Sequence, residues 1–387
     1  MIATYAVTVL IFWTALQVLS FPLIVYLDGD LPEYPAHPSY RMMQYIIDLS
    51  ESNAQERIGS FHQKFLSLSQ ENPNIAYTPD YYTIGRTGEY LPKHPLLATW
   101  IAVPFYQVMG DAGIRLLIAG LLAGLIIFPL FLIHSRAGDL FVFNSLAVLV
   151  SIMLGTKLVQ TFATQYSYDV LGTVMLLLGC YLMCKHPLFA GILIGLSLSC
   201  RITNVFWFVP LFLIFKPMQH WKSGFQPYWI GLCIGGLPVL AMNGWFYGHP
   251  VTAGYQNAPV YLNGQITDTM ESISFSYRTL LEQFSDRLFK SPQSLWSFYP
   301  AMLLAIPLLS YELLRRGCGG QRKLDVPLLL LLSSSILFIA LFISFSYWQL
   351  SGGTRFVMFP AVLLITTGVL VLIRLLQRLQ LSQKRTK

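Results

Sequence analysis

Charged residues are scarce in this sequence, and their scarcity excludes an ordinary soluble domain. Only 11% of its 387 residues are Asp, Glu, Lys or Arg, against about a quarter in a typical soluble domain. Hydrophobic residues make up 55% of the chain, and the mean hydropathy is +0.56. Many apolar runs approach or exceed the roughly 20 residues that a helix needs to cross a bilayer. The sequence therefore predicts an all-α, polytopic membrane bundle, with 1–387 as a single membrane domain.

Cysteine is also sparse, and its placement argues against a disulfide framework or a thiolate metal site. The five cysteines lie in or beside apolar runs, and none shows CxxC spacing. Small buried hydrophobic side chains are the interpretation that fits this pattern. An Asn-x-Ser/Thr sequon is absent from the sequence, so nothing indicates N-glycosylation of the chain.

Ten membrane spans are predicted from the apolar runs. The first lacks a basic leading region and a small-x-small cleavage site, so we interpret it as an uncleaved span rather than a signal peptide. The fifth and sixth runs are short and share the polar break "CRITN" at 200–204, so one broken unit is the alternative. The ten runs are 2–27, 112–133, 140–157, 168–184, 187–200, 203–215, 226–246, 297–313, 326–346 and 356–376.

The distribution of charge predicts the orientation of these spans. With both termini in the cytoplasm, the cytoplasmic connections hold 13 basic residues and three acidic ones, and the other side holds 12 basic and 15 acidic residues. Such an excess of Lys and Arg on one side is the usual signature of the cytoplasmic face. The net charge of +7 is thus a topology signal, and a nucleic-acid partner is not expected.

Three polar segments then face the extracytoplasmic side. They are the long loops 28–111 and 247–296 and the short stretch 346–355. Surface helices are predicted over 39–50 and 272–289 from their amphipathic spacing. The apolar stretch 95–110 is too short to span, so we interpret it as an interfacial or re-entrant half-helix. Long loops on one face of a bundle are where function usually lies.

Asp28 and Asp30, in "LDGD" directly after the first span, are the first candidates for chemistry. Asp-Gly is a common turn pair, and polar residues are expected where a span ends. A pair of carboxylates also suits a divalent cation, and a single carboxylate can act as a general base for a hydroxyl group. All three interpretations stay open from local sequence alone.

A second group of candidates lies in the outer loops. Lys93 and His94 stand at the predicted start of the half-helix, where a cation beside a helix N-terminus favours an anion such as phosphate; a structured loop cap is the alternative. Tyr90 precedes them. Tyr255 follows a glycine in "GHPVTAGY" after the seventh span, where anchoring at the membrane interface is the default role of an aromatic residue.

Three further ionisable residues stand where spans begin or break on the same predicted side. Asp169 opens the fourth span, where helix capping is the alternative role. Arg201 lies in the break at 200–204, where it can reach lipid headgroups, pair with Asp169 or bind an anionic substrate. Arg355 follows two glycines in "SGGTR" and begins the last span. Arginine holds phosphate through two parallel hydrogen bonds and keeps its charge.

Taken in order, these stretches resemble the polytopic GT-C-type glycosyltransferases, in particular bacterial predicted membrane glycosyltransferases related to the protein mannosyltransferase and aminoarabinose transferase groups. The resemblance covers roughly residues 20–365, and no single motif is decisive. It departs from the family in "LPEYPAH" after Asp30, in the absence of Gly-Pro before Arg355, and in the absence of a large soluble C-terminal domain. The matching stretches are "LDGD", "TGEYLPKHPLLATWIAVPFYQVMG", Asp169, "AGILIGLSLSCRITN", "NGWFYGHPVTAGY" and "YWQLSGGTRFVMFP".

The resemblance implies a transferase in the bacterial inner membrane that works on its extracytoplasmic face. Its donor would be a polyprenyl-phosphate-linked sugar, and its acceptor would be a glycan, lipid or protein. The reaction would invert the anomeric centre, with Asp28 or Asp30 as the base. Arg355, supported by Arg201 and Lys93, would hold the phosphate. The only cofactor left open is a divalent cation. A transporter or lipid-carrier flippase is the alternative, which the absence of a visible internal repeat disfavours, and a scaffold that has lost activity is a third.

Overall fold

The computed structural model describes residues 54–74, 77, 82–88, 90–92, 96–137, 145, 149, 166–215, 221–251, 259–269, 276–292, 294–317, 325–344 and 353–385. The fold is mostly helical, as the sequence predicts, and it includes two short antiparallel hairpins that the sequence reasoning did not anticipate. The elements in chain order are α1 (Ala54–Glu71), β1 (Tyr82–Ile84), β2 (Tyr90–Pro92), α2 (Leu96–Met109), α3 (Asp111–Ala137), α4 (Tyr168–Leu182), α5 (Pro187–Leu196), α6 (Phe208–Phe215), α7 (Trp221–Tyr247), β3 (Pro259–Leu262), β4 (Gln265–Thr269), α8 (Tyr277–Ser285), α9 (Leu295–Phe298), α10 (Pro300–Gly317), α11 (Val326–Ile343) and α12 (Met358–Arg385).

Four helices of the described part are long and apolar enough to span a membrane, consistent with a membrane protein. A fifth span results if a helix pair bent by 90° at Tyr299, Tyr277–Phe298 with Pro300–Arg315, counts as one. The ten predicted spans are therefore not confirmed. The run 2–27 lies outside the described residues, as does 140–157 apart from residues 145 and 149. The four candidate spans are Asp111–Ile133, Ser223–Tyr247, Val326–Ile343 and Thr354–Leu375.

Three of the predicted spans, the fourth to the sixth, form apolar helices shorter than a full crossing. These are Tyr168–Leu182, Pro187–Ser199 and Ile202–Phe215. Pro187–Ser199 ends at the polar break, and Ile202–Phe215 begins there. Arg201, between them, is extended (φ −152°, ψ 122°) and lies between two 3-10 turns. An extended residue cannot continue the helical hydrogen-bond ladder, so the break that "CRITN" suggests is real in the backbone.

Helices α5 and α7 pack against each other along glycines spaced four residues apart. A Cβ atom added at Gly191 would lie 2.2 Å from the carbonyl oxygen of Tyr228, and one at Gly235 would lie 2.2 Å from the carbonyl oxygen of Ile192. Small residues at this spacing let helix backbones approach closely in membrane bundles. The close packing of α5 on α7 therefore helps to fix the position of the segment that ends at Arg201.

We expect Gly235→Leu to lower the thermal stability of the detergent-purified protein, because its side chain would meet backbone rather than a movable side-chain tip. Overpacking of this kind costs about 1–3 kcal/mol or more. Gly120→Leu on α3 is the matched control, since nothing lies within 4 Å of a Cβ at that position. Equal melting temperatures for the two variants would contradict the close α5–α7 packing.

The first and second predicted outer loops contact each other through α1 and the β3–β4 hairpin. Tyr261 is fully buried; its hydroxyl lies 2.7 Å from His62 Nδ1, and its ring stacks on Phe65 with centroids 5.4 Å apart. Burial lowers the pKa of His62, so the neutral imidazole is favoured in this contact. Ser69 Oγ accepts a hydrogen bond from the Gly264 amide at 2.9 Å. The described parts of the two loops thus pack against each other, and their place on one face of the membrane stays a prediction.

The turn of the β3–β4 hairpin was missed in the sequence, although a signal is present. Asn263 and Gly264 both have positive φ, 52° and 71°, as a type I′ turn requires. Asn-Gly between alternating hydrophobic residues is a strong hairpin signal, and here it stands in "VYLNGQI".

Two of the predicted short helices have described counterparts. Helix α2 agrees with the predicted half-helix at 95–110 and ends at Met109, directly before Gly110, whose φ of +58° suits a residue without a side chain. Helix α8 lies within the predicted surface helix 272–289, and Tyr277, Leu281 and Phe284 are exposed on it. Their spacing makes one apolar face, as expected of a helix at a membrane interface. The predicted surface helix at 39–50 lies outside the described residues.

Candidate functional site

One buried carboxylate stands between two arginines, and all three residues are sequence candidates. Asp169 Oδ1 pairs with Arg201 Nε, and Asp169 Oδ2 lies 3.5 Å from Arg355 Nε. The Asp169 side chain is 1% exposed, against 14% for Arg201 and 22% for Arg355. We call this arrangement the Asp169 cluster, and it joins residues that are 186 positions apart in the chain.

Three different local structures bring these side chains together. Asp169 is in the first turn of α4, whose N-cap is Ser167, and Ser167 Oγ accepts a hydrogen bond from the Asp169 amide at 3.2 Å. Arg201 projects from the extended break between α5 and α6. Arg355 lies in the 3-10 turn 353–357 that leads into α12. Tyr299 fixes that turn, because its buried hydroxyl donates to the Thr354 carbonyl at 3.0 Å.

Aromatic rings flank both guanidinium groups. The Arg201 Cζ lies 3.9 Å from the ring centroid of Phe356 and 5.5 Å from that of Tyr168. The Arg355 Cζ lies 5.4 Å and 6.0 Å from the same two rings. A cation above an aromatic face is stabilised by the ring quadrupole, more strongly where water is excluded. The rings therefore provide favourable contacts for both guanidinium groups.

A small cavity adjoins the cluster. Its volume is about 10 Å³, which is about the space that one water molecule needs. Trp207, Asn204 and Phe359 are among the other residues of its wall. The Trp207 indole N–H is buried and, among the described residues, has no hydrogen-bond partner. A ligand larger than a water molecule requires the site to open.

Two guanidinium groups approach one carboxylate in the described part of the cluster. Removing charged groups from water is costly unless they are paired. An anion that reached both arginines would be attracted by both guanidinium groups. Arginine offers parallel N–H donors that match carboxylate or phosphate oxygens. The arrangement can therefore bind a small anionic group.

The side chains of the remaining predicted site residues are outside what the structure describes. Asp28, Asp30, Lys93, His94 and Tyr255 lie outside the described residues. The backbone of Tyr90 is described in β2, where it pairs with Ile84. The pairing of Arg201 with Asp169, one of the alternatives for that arginine, is present; the substrate-binding role of both residues stays a prediction. In the described part of the chain, no group of three or more His, Cys, Asp or Glu residues is placed to hold a metal ion.

Sequence reasoning missed the aromatic part of the site. Tyr168 and Phe356 each adjoin a candidate in the sequence, Asp169 and Arg355. A ring next to an ionisable residue at the start of an apolar run was the available signal, but interface anchoring explains most such rings equally well. Trp207 lies six residues after Arg201 and gave no signal of its own.

Comparisons of the chain with protein-family models, with curated proteins and with solved structures found no match.

Proposed function

We propose that the chain is a membrane glycosyltransferase of the GT-C type, which moves a sugar from a polyprenyl-phosphate-linked donor to an acceptor on the extracytoplasmic face. The Asp169 cluster is the observation that supports this proposal best. The resemblance supplies the reaction, and the cluster supplies a pair of partly buried arginines suited to the phosphate of such a donor. The acceptor is a glycan, lipid or protein.

In this proposal, Arg201 and Arg355 stabilise the leaving phosphate. The acceptor hydroxyl oxygen forms a bond to the anomeric carbon of the sugar as the bond between that carbon and the phosphate oxygen breaks. Polyprenyl phosphate leaves with the electron pair, and its new negative charge develops beside the two guanidinium groups. Attack opposite the leaving group inverts the anomeric centre. The hydroxyl proton passes to a carboxylate, for which Asp28 and Asp30 remain the candidates.

Asp169 has a positioning role in this proposal. One carboxylate with an oxygen toward each guanidinium sets the spacing and direction of the two arginines before the donor arrives. Fixed donors need no reorganisation when charge develops, and this is the source of much electrostatic catalysis. Tyr168 and Phe356 restrict the same side chains further.

The transport alternative keeps one specific observation in its favour. Transporters often bind substrates where helices are broken, and Arg201 lies at such a break between two short apolar helices. A transporter or lipid-carrier flippase would move the lipid-linked sugar without breaking the bond to its phosphate. Bond cleavage therefore separates the two functions.

The test is release of polyprenyl phosphate by the full chain in phospholipid nanodiscs. The donors are a panel of polyprenyl-phosphate hexoses and pentoses, and solubilised envelope material is the acceptor source. We expect at least one donor to be cleaved with transfer of its sugar, and Asp28→Asn with Asp30→Asn to abolish this. Full transfer by the double variant would remove the base assignment, and movement of intact donor across vesicles without any cleavage would refute the transferase.

A further inference from the structure

Tyr299 stands at the bend between the short helix α9 and helix α10. It directly precedes Pro300, and the α-helical conformation is disfavoured for a residue before proline. The Tyr299 backbone is accordingly non-helical (φ −135°, ψ 55°), so α9 ends before it and α10 begins at the proline. The helices on either side meet at 90°. The local sequence thus produces a sharp bend, and Tyr299 is fully buried in it.

The Tyr299 hydroxyl reaches the peptide unit that carries Arg355. It donates to the Thr354 carbonyl at 3.0 Å, across 55 positions of the chain. A peptide unit is planar, so a hydrogen bond to this oxygen also restrains the Arg355 nitrogen and Cα atom in the same plane. Thr354 is 2% exposed, so little water can compete for the contact. Tyr299 therefore restrains the direction in which Arg355 leaves the backbone.

The contacts of the Arg355 side chain itself are long. Its Nε lies 3.5 Å from Asp169 Oδ2 and, within the described part of the chain, makes no hydrogen bond. Its Cζ lies 5.4 Å from the Phe356 ring centroid, whereas that of Arg201 lies 3.9 Å from the same ring. Arg355 thus has more side-chain freedom to lose on binding a ligand, and the cost of that loss depends on how well its backbone is held.

A second connection supports the same turn without the Tyr299 hydroxyl. The Phe342 ring on α11 lies 5.2 Å from the ring of Phe356, the residue after Arg355. The end of α11 is in turn held by Arg287, which donates to the Ile343 carbonyl at 2.5 Å. Because this connection remains when the hydroxyl is removed, we expect the turn to keep its place in the fold and to lose only its exact alignment.

We propose that Tyr299 is a positioning residue for the phosphate site. Its hydroxyl holds the peptide unit of Arg355, so that the guanidinium group is set for the phosphate before the ligand binds. A donor fixed in advance loses less conformational entropy on binding. The inference rests on the proposed function, since the phosphate is that of the lipid-linked sugar donor. Tyr299 contacts no reacting atom and acts only through Arg355.

Equilibrium binding of polyprenyl monophosphate to the full chain in nanodiscs tests this inference. Polyprenol of the same length is the uncharged reference probe. Tyr299→Phe keeps the ring and removes only the hydroxyl. We expect its affinity for the monophosphate to fall about fivefold, as for the loss of one hydrogen bond, while its affinity for polyprenol stays unchanged. Equal weakening of both probes would indicate a general structural defect and overturn the inference.

Tyr228→Phe is the matched control. Tyr228 is also fully buried, and its hydroxyl donates to the Phe208 carbonyl at 2.6 Å. Both variants lose one hydrogen bond from a buried tyrosine to a backbone carbonyl, but of the two tyrosines it is Tyr299 that donates to the Arg355 turn. We expect Tyr228→Phe to bind the monophosphate as the unchanged chain does. Equal losses in the two variants would overturn the inference.

A double-mutant cycle tests whether Tyr299 acts through Arg355. In the Arg355→Gln background, Tyr299→Phe is expected to weaken monophosphate binding no further. A further fivefold loss in that background, or full affinity in Tyr299→Phe alone, would overturn the inference and leave the proposed phosphate site standing. If the unchanged chain binds the monophosphate no better than polyprenol, the proposed site itself fails, and the inference fails with it.

Discussion

Replacing Arg355 by alanine is expected to lower the rate of sugar transfer by about 10²–10³-fold. Loss of one preorganised donor to a developing negative charge has an effect of this size in other active sites. Arg355 contacts the Asp169 oxygen that Arg201 does not contact, and it is the more exposed arginine of the two. It is thus the one that a donor phosphate entering from outside would meet. The measurement is the initial rate of polyprenyl phosphate release under saturating acceptor.

Two further variants make this prediction specific. Arg355→Lys keeps the charge but loses the planar pair of donors, so we expect it to recover only a small part of the activity. Arg278→Ala changes an arginine that is paired with Glu282 on the exposed surface of α8 and should leave the rate unchanged. If Arg355→Ala transfers sugar as fast as Arg278→Ala, the arginine does not hold the phosphate.

Replacing Asp169 by alanine is expected to destabilise the fold itself, by about 3–5 kcal/mol. Removal of one partner from a buried ionic network leaves the other charges uncompensated, and here two guanidinium groups would face each other. The measurement is the thermal unfolding of the detergent-purified protein, monitored as the fraction of protein that stays monodisperse. Glu282→Ala is the control, because it breaks an ion pair whose side chains are 80% and 55% exposed, and such pairs contribute little.

A second substitution distinguishes this mechanism from a simple loss of packing. Asp169→Ala combined with Arg201→Met removes one of the two guanidinium groups along with the carboxylate. We expect the double variant to be more stable than Asp169→Ala alone, since charge repulsion is relieved. If the second change adds further destabilisation instead, Asp169 stabilises the fold through packing rather than through the two arginines.

The three members of the Asp169 cluster could be predicted one by one from the sequence. Each is an ionisable residue where an apolar run begins or breaks, and the charge distribution predicts that all three lie on one side of the membrane. The pairing of Arg201 with Asp169 was one of the alternatives that the sequence offered. The approach of Arg355 to the same carboxylate could not be predicted, because it depends on how α4, α12 and the break before α6 pack together. The aromatic walls were missed for a different reason: rings at the ends of apolar runs are common, so Tyr168 and Phe356 carried no distinct signal.

The fold, like the site, could be predicted only in part from the sequence. Apolar runs predicted where helices form, and the polar break at Arg201 was visible in the sequence. The number of membrane spans could not be predicted from these runs, because the helices on either side of that break are each shorter than a full span. Helix α1 and the hairpins lie in parts of the predicted outer loops where no clear hydrophobic periodicity was found. The Asn263-Gly264 turn was the one strong signal there, and it was readable.

Equilibrium binding of polyprenyl monophosphate tests the central claim most directly, because it needs neither the sugar nor the acceptor to be known. The ligand is titrated into the full chain in nanodiscs, alongside Arg355→Gln, Arg201→Gln and Arg278→Gln. We predict saturable binding that weakens at least about tenfold in each of the first two variants, as expected for loss of a charge-assisted hydrogen bond, and stays unchanged in the third. Equal affinity in all four proteins would contradict a phosphate site at the Asp169 cluster.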